Sequence, residues 1–222
     1  MNFLSIFDVI GPNMIGPSSS HTAGAVSIAL LARKMCPSPI KKVTFTLYGS
    51  FSKTYRGHGT DRALLGGILG FATDDARIRE SFEWAKKYHV EYYFIIADDI
   101  PVNHPNTVDI NIECDDGYTL SVRGESTGGG KVKIVSINHI DVEFTGEYST
   151  MIVRQTDQPG VVAHIAQCLA HQDVNIAFMR LFREDKGATA FTVVESDEPI
   201  PDRILKEMKT NEHIHEIMLI QI

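Results

Sequence analysis

From residue 148 onward the hydrophobic pattern alternates between strand-like and helix-like periods, and this order limits the possible folds more than any other feature of the sequence. Residues 148–155 read as a strand, 156–160 as a Pro-Gly turn and 161–171 as a helix. A strand over 176–183, a hairpin turn at Asp185-Lys186-Gly187 and a strand over 188–196 follow, then a helix over 201–210 and a last strand over 214–222. The order βαββαβ predicts the ferredoxin-like split arrangement, an antiparallel sheet with two helices on one face. About 75 residues suffice to build it.

The whole chain has 222 residues, more than the roughly 100–150 typical of one domain. Two domains are therefore expected, 1–146 and 147–222. In the first, Val26, Leu30, Leu31 and Met35 mark a helix over 24–36, which Pro37 and Pro39 stop. Residues 42–50 alternate Val43, Phe45 and Leu47 with Thr44, Thr46 and Tyr48, as a half-buried strand does. Helices are expected over 61–71 and 76–88, and strands over 90–97, 107–115, 117–124 and 131–137. The run Glu125-Ser126-Thr127-Gly128-Gly129-Gly130 breaks the periodicity, its glycines forming a tight turn or a ligand loop. Residues 138–143 are either the last strand of this domain or a connector. The fold class is α+β, a mixed first domain followed by the ferredoxin-like one.

Composition narrows the function. Hydrophobic residues at 43% and charged residues at 22% are those of an ordinary globular chain. A net charge of −7 leaves no basic face for nucleic acid, which is bound through clustered Lys and Arg. The apolar run 23–32 is too short to span a bilayer, and the acidic start is unlike a secretory signal, so a cytoplasmic protein is expected. Cys36, Cys114 and Cys168 are odd in number and widely spaced. They suit neither a disulfide framework nor a Cys-x-x-Cys metal site, and no metal site is expected in this chain.

Three histidine-bearing loops carry the chemistry. Gly16-Pro17-Ser18-Ser19-Ser20-His21-Thr22 sets hydroxyls and an imidazole at a helix start, where free amides favour anions; simple N-capping explains one of the hydroxyls. His21 is a candidate to hold or donate a proton there. Gly57-His58-Gly59-Thr60-Asp61 places a second imidazole between glycines that allow a ligand close to the backbone, or else is an ordinary loop. His104-Pro105-Asn106 is a rigid turn that directs His104 and the amide of Asn106. His213 and His215 share a strand face, read as an exposed edge.

Two resemblances follow from these residues. The turn Asp157-Gln158-Pro159-Gly160-Val161-Val162 resembles that of the ligand-sensing ACT domain, over 148–222. The resemblance implies dimerisation through this domain and a regulatory site at Asp157, Pro159 and Gly160. The alternative is that Gly160 only permits close packing. The Ser18-Ser19-Ser20-His21-Thr22, Tyr48-Gly49-Ser50, Gly57-His58-Gly59-Thr60-Asp61, His104-Pro105-Asn106 and triple-glycine motifs, in this order, resemble the β unit of bacterial iron–sulfur-dependent L-serine dehydratase. The first domain also resembles the allosteric substrate-binding fold of some phosphoglycerate dehydrogenases. The dehydratase resemblance implies conversion of L-serine to pyruvate and ammonia, and a [4Fe–4S] cluster held by a partner α subunit. It also implies His21 and His58 as catalytic residues, with Ser19, Ser20, Thr22, His104 and Asn106 binding substrate. Two alternatives remain, a non-catalytic amino-acid sensor and a hydrolase with its own ion on His21, His58 and His104.

Overall fold

The computed structural model describes residues 13–221. The chain divides into two units between His139 and Ile140, ahead of the boundary expected near Gly146.

In the first unit a π-helical turn, Ser19–Ala23, runs directly into helix α1, Gly24–Lys34. Strand β1, Ile40–Tyr48, is followed by α2, Gly49–Thr54, and α3, Thr60–Ile68. A 3-10 turn, Ala76–Glu80, leads into α4, Ser81–Lys87. The remaining strands are β2, Glu91–Ala97, β3, Thr107–Cys114, β4, Thr119–Gly128, and β5, Lys131–Ile137. Within this unit they stand in the order β2-β1-β3-β4-β5. β1 and β2 are parallel, so the helices α2 to α4 form the long crossover that such a pair requires; the other pairs are antiparallel.

The alternation along β1 decides which face is core. Val43, Phe45 and Leu47 are fully buried and stand opposite Ile112, Ile110 and Val108. Thr44, Thr46 and Tyr48 take the other face. There the Tyr48 hydroxyl donates to Asp109 Oδ2 at 2.8 Å, and Arg123 donates to both oxygens of the same carboxylate at 2.6 and 2.7 Å. Two glycines bring layers into contact. A Cβ on Gly124 would lie 2.3 Å from Ile28 Cγ2, so α1 rests directly on β4. A Cβ on Gly67 would lie 2.5 Å from the Val26 carbonyl and 2.6 Å from Ala29 Cβ, so α3 crosses α1 backbone to backbone.

Several elements depart from the sequence pattern. The strand expected to reach residue 50 stops at Tyr48, because Gly49 adopts a left-handed conformation (φ +52°) and starts α2. The helix expected over 76–88 splits at residue 80, its first part capped by Asp75, whose carboxylate accepts the Arg77 N–H. β4 runs through residues 125–127, where the pattern looked broken, since pairing with β5 continues to Gly128. The three glycines, all with positive φ, turn that hairpin. Cys36 and Cys114, distant in sequence, meet through their side chains; burial first, and then Cys114, push the Cys36 thiol pKa up.

The second unit opens with β6, Ile140–Phe144. It continues with β7, Ser149–Thr156, α5, Val161–Ala170, β8, Phe178–Arg183, β9, Thr189–Ser196, α6, Ile204–Met208, and β10, Ile214–Ile220. The sheet order β10-β7-β9-β8, antiparallel throughout, is the ferredoxin-like arrangement. Met151, Val153 and Val194 of the sheet pack with Val161, Ile165 and Leu169 of α5 and with Ile204 and Met208 of α6. Among the described residues no helix is long and apolar enough to cross a membrane.

The crossing of α1 and α3 gives a prediction of unusual sign. Alanine for glycine inside an exposed helix stabilises by roughly 0.5–1 kcal/mol. Gly67→Ala is expected instead to destabilise the chain by about 1–3 kcal/mol, because the added methyl must push the Val26 backbone away. The urea-unfolding midpoint measures this, and an unchanged or raised midpoint would refute the close contact.

Candidate functional site

The first loop is shaped by its π turn. Ser18 caps it with extended backbone (φ −139°, ψ 125°), its hydroxyl accepting the His21 N–H at 3.1 Å. The Ser18 carbonyl accepts from both Thr22 N–H and Ala23 N–H, and the Ser19 carbonyl accepts from Gly24 N–H. His21 lies within this wide turn. Both of its ring nitrogens meet hydroxyls: Nδ1 lies 2.9 Å from Ser20 Oγ, and Nε2 lies 2.8 Å from Ser50 Oγ.

Three other segments close around this imidazole. The Thr22 hydroxyl donates to the His58 carbonyl at 2.9 Å, tying the first histidine loop to the second. Gly59, left-handed at φ +66°, turns the chain after His58 into α3. The His21 and His58 rings stand edge to face with centroids 4.8 Å apart, and Phe51 closes another side of His21 at 5.4 Å. Ser50 is held by its N–H, which donates to the Pro105 carbonyl at 2.6 Å; a side chain on Gly49 would collide with that carbonyl. This places the third loop. In it Asn106 N–H donates to His104 Nδ1 at 3.2 Å, and the Thr107 hydroxyl donates to the His104 carbonyl at 2.6 Å.

Burial, with the neighbouring His58 adding to it, lowers the His21 pKa, so its ring stays neutral to lower pH than a free imidazole. Burial raises the Asp61 pKa, opposed by the Arg62 N–H bonded to its carboxylate. The buried atoms His58 Nδ1, Asn106 Oδ1 and Thr60 Oγ1 lack hydrogen-bond partners among the described residues. Orphaned buried polar atoms cost about 1–3 kcal/mol each, so each of these calls for a partner that the protein itself does not supply.

The structure thus brings His21, His58, Ser20 and Thr22 together, and Asn106 joins them through β4: Ser126 N–H donates to the Asn106 carbonyl at 3.0 Å, and Ser126 Oγ donates to the Ser20 carbonyl at 2.9 Å. Ser19 enters through its carbonyl. His104 spends Nδ1 on its own turn. Ser50 and Ser126 were missed as site residues by the sequence reading, although Ser50 stands within a motif that carried the family resemblance. Among the described residues no group of three His, Cys, Asp or Glu side chains is arranged to hold a metal ion, so His21, His58 and His104 do not form the ion site that a self-sufficient hydrolase needs.

Two families match the sequence. The profile of the family described as "Serine dehydratase beta chain" matches residues 5–97, and that of the "ACT domain" matches residues 149–213. The "Probable L-serine dehydratase, beta chain" of Bacillus subtilis is 40% identical over 208 residues, 94% of each chain. The "L-serine dehydratase, beta chain" of Peptoniphilus asaccharolyticus is 43% identical over 204 residues, 92% of each. The chain belongs to the serine dehydratase beta chain family. A further relative, "L-serine dehydratase 2" of Escherichia coli, is 37% identical over 81 residues, which are 34% of this chain and 17% of that protein.

In the ACT domain of this beta chain, Gly160 (φ +91°) caps α5 beside exposed Pro159. Asp157 is occupied elsewhere. Its Oδ2 accepts from Gly187 N–H at 3.2 Å and from Arg183 Nη1 at 3.1 Å, which lower its pKa in that order. Asp157 therefore clamps the β8–β9 hairpin.

Folding reduces the affinity of His21 for a proton, so the unfolded chain takes up that proton first. His21 then contributes stability above its unfolded pKa of about 6.5 that is lost as pH falls through the folded value. The fall in thermal midpoint from pH 7 towards acid is expected to be shallower in His21→Gln than in the wild-type chain; equal slopes would show that His21 is not held neutral by the fold.

Proposed function

We propose that this chain is the β subunit of an iron–sulfur-dependent L-serine ammonia-lyase. In this reading it completes an active site on an α subunit that carries a [4Fe–4S] cluster, and the complex converts L-serine to pyruvate and ammonia. The "beta chain" names of the two long relatives support a partner subunit. So does the relative named simply as an L-serine dehydratase, in which the matched segment is a small part of a longer protein. This chain's own residues do not fit the cluster. Cys36 and Cys114 are directed at each other with Cys36 buried to a raised pKa, Cys168 lies buried in the other unit, and no three metal-ligating groups converge among the described residues. In this reading the cluster's ligands come from the partner.

The observation that carries the reading is the imidazole pair with its unsatisfied Nδ1 on His58. Elimination of water from serine requires a base for a weakly acidic Cα proton and a proton for the departing hydroxide. In this reading His58, whose Nδ1 is buried without a protein partner, takes the Cα proton. His21, held neutral between two hydroxyls, orients the oxygens of the substrate. Asn106, with a buried and unpartnered Oδ1, offers an acceptor for the substrate ammonium. Loss of the Cα proton and of hydroxide as water leaves aminoacrylate, which tautomerises to the imine and hydrolyses to pyruvate and ammonia. The ACT domain serves dimerisation and regulation, with serine as the ligand at Pro159 and Gly160. The complex works in the cytoplasm.

The test is anaerobic reconstitution of the full chain with its cysteine-bearing α partner, followed by a pyruvate assay. His58→Ala is expected to lower kcat by roughly 10²–10⁴-fold, the range for a general base, while still co-purifying with the partner. Near-normal turnover in that complex would remove His58 from the chemistry.

A further inference from the structure

We infer that a groove on the open face of the first unit's sheet binds a small polar amino acid, whose charged head lies between the ammonium of Lys42 and the carboxylate of Glu113. The groove is separate from the histidine loops, and the inference does not depend on the lyase reading. From Lys42 to Tyr48 six residues of strand, at about 3.3 Å each, put it roughly 20 Å from the loops that follow Tyr48.

Strand register builds the groove. On the face opposite Val43 and Phe45, Thr44, Asn111 and Ser121 stand side by side on β1, β3 and β4, and one row along Lys42 stands opposite Glu113. These five residues and Asn138 line a groove of about 400 Å³, within the roughly 300–1,000 Å³ usual for small-molecule sites. Asn138 donates its N–H to the Ser121 carbonyl at 2.8 Å, and its Oδ1 accepts the Ser121 N–H at 2.9 Å, which leaves the NH₂ of that side chain as a donor. The side chains of Thr44, Asn111 and Ser121 have no hydrogen-bond partner among the described residues.

The charges define the ligand. Two cross-strand pairs of opposite charge sit on this face, and such pairs ordinarily close on each other. Asp109 and Arg123, directly opposite, do so at 2.6 and 2.7 Å. Lys42 and Glu113 are also directly opposite, yet no ion pair joins them. The Lys42 ammonium instead lies over the Tyr93 ring on the β2 side, 5.5 Å from its centroid. Glu113 Oε1 accepts from Lys41 at 3.4 Å, leaving Oε2 without a partner. A cation and a carboxylate thus flank the groove without neutralising each other. An α-amino acid has the matching parts: a carboxylate for Lys42, an ammonium for Glu113, and a short polar side chain for the row Thr44, Asn111 and Ser121. A simple acid or a simple amine would satisfy one side and leave the other unpaired.

NMR titration of the 15N-labelled full chain tests this, with L-serine as the probe because it is the smallest amino acid with a hydrogen-bonding side chain. Saturable shifts are expected for the side-chain amides of Asn111 and Asn138 and for the Ser121 N–H. Lys42→Met and Glu113→Gln are each expected to weaken this binding roughly tenfold, the loss of one charge-assisted hydrogen bond. The remaining signals of each variant should stay in place, which reports an intact fold. D-glycerate, which lacks the ammonium, and L-serinamide, which lacks the carboxylate, are expected to leave the three signals unmoved. Serine-induced shifts that are absent, or confined to the histidine loops or the Pro159–Gly160 turn, would overturn the proposal. So would wild-type affinity in either variant, or an equal response to D-glycerate or L-serinamide. An αβ complex inert on L-serine would end the lyase reading and leave the outcome of this titration untouched.

Discussion

At Gly24 the end of β4 comes so close to the π turn that a Cβ would stand 2.1 Å from Ser126 Oγ. That approach lets Ser126 act in two directions. Its hydroxyl donates to the Ser20 carbonyl and its N–H to the Asn106 carbonyl, so a single residue on a rigid strand fixes both the first and the third loop. The second loop is fixed in turn by the Thr22 hydroxyl on the His58 carbonyl. Each of these bonds uses a backbone carbonyl as acceptor and leaves the imidazoles out of the scaffolding. The loops are held by their main chains, and the side chains that carry chemistry remain available.

Much of this was legible in the residues. The βαββαβ order came through because each element in the second unit keeps one buried face, and the two histidine loops stood out because polar residues cluster at helix starts. Ser50 did not stand out as a site residue. Its value lies in a 2.8 Å contact with a residue 29 positions away, and it sits on a helix too short to show a period. Asp157 has a contact that the local sequence did not reveal. Residues 183 and 187, brought beside it by the β8–β9 hairpin, both donate to its Oδ2. Likewise, the wide spacing of Cys36 and Cys114 concealed their contact, which antiparallel pairing of β1 and β3 makes possible by setting Ile40 opposite Cys114. Local pattern reveals faces and caps; partners across the fold depend on register.

The site is also an energetic compromise. Three buried polar atoms without partners, at about 1–3 kcal/mol each, are a sizeable share of the roughly 5–15 kcal/mol by which a domain of this kind is stable. The surrounding core offsets this, with Phe45, Phe51, Leu64, Leu65 and Ile28 all fully buried around the same layers. Sites of this kind are expected to relax when a ligand supplies the missing partners.

The imidazole pair adds a constraint of its own. With ring centroids 4.8 Å apart, two positive charges would repel by about 3 kcal/mol even at an effective dielectric constant near 20. A proton arriving on His58 therefore makes a charge on His21 still less favourable, and burial already opposes that charge. His21 is then most firmly neutral whenever His58 carries a proton. A neutral His21 has one bare nitrogen and one N–H to share between its hydroxyl neighbours Ser20 and Ser50, whereas an imidazolium would donate to both. The proximity that looks like a cost in the resting protein thus keeps His21 neutral when a charge stands beside it.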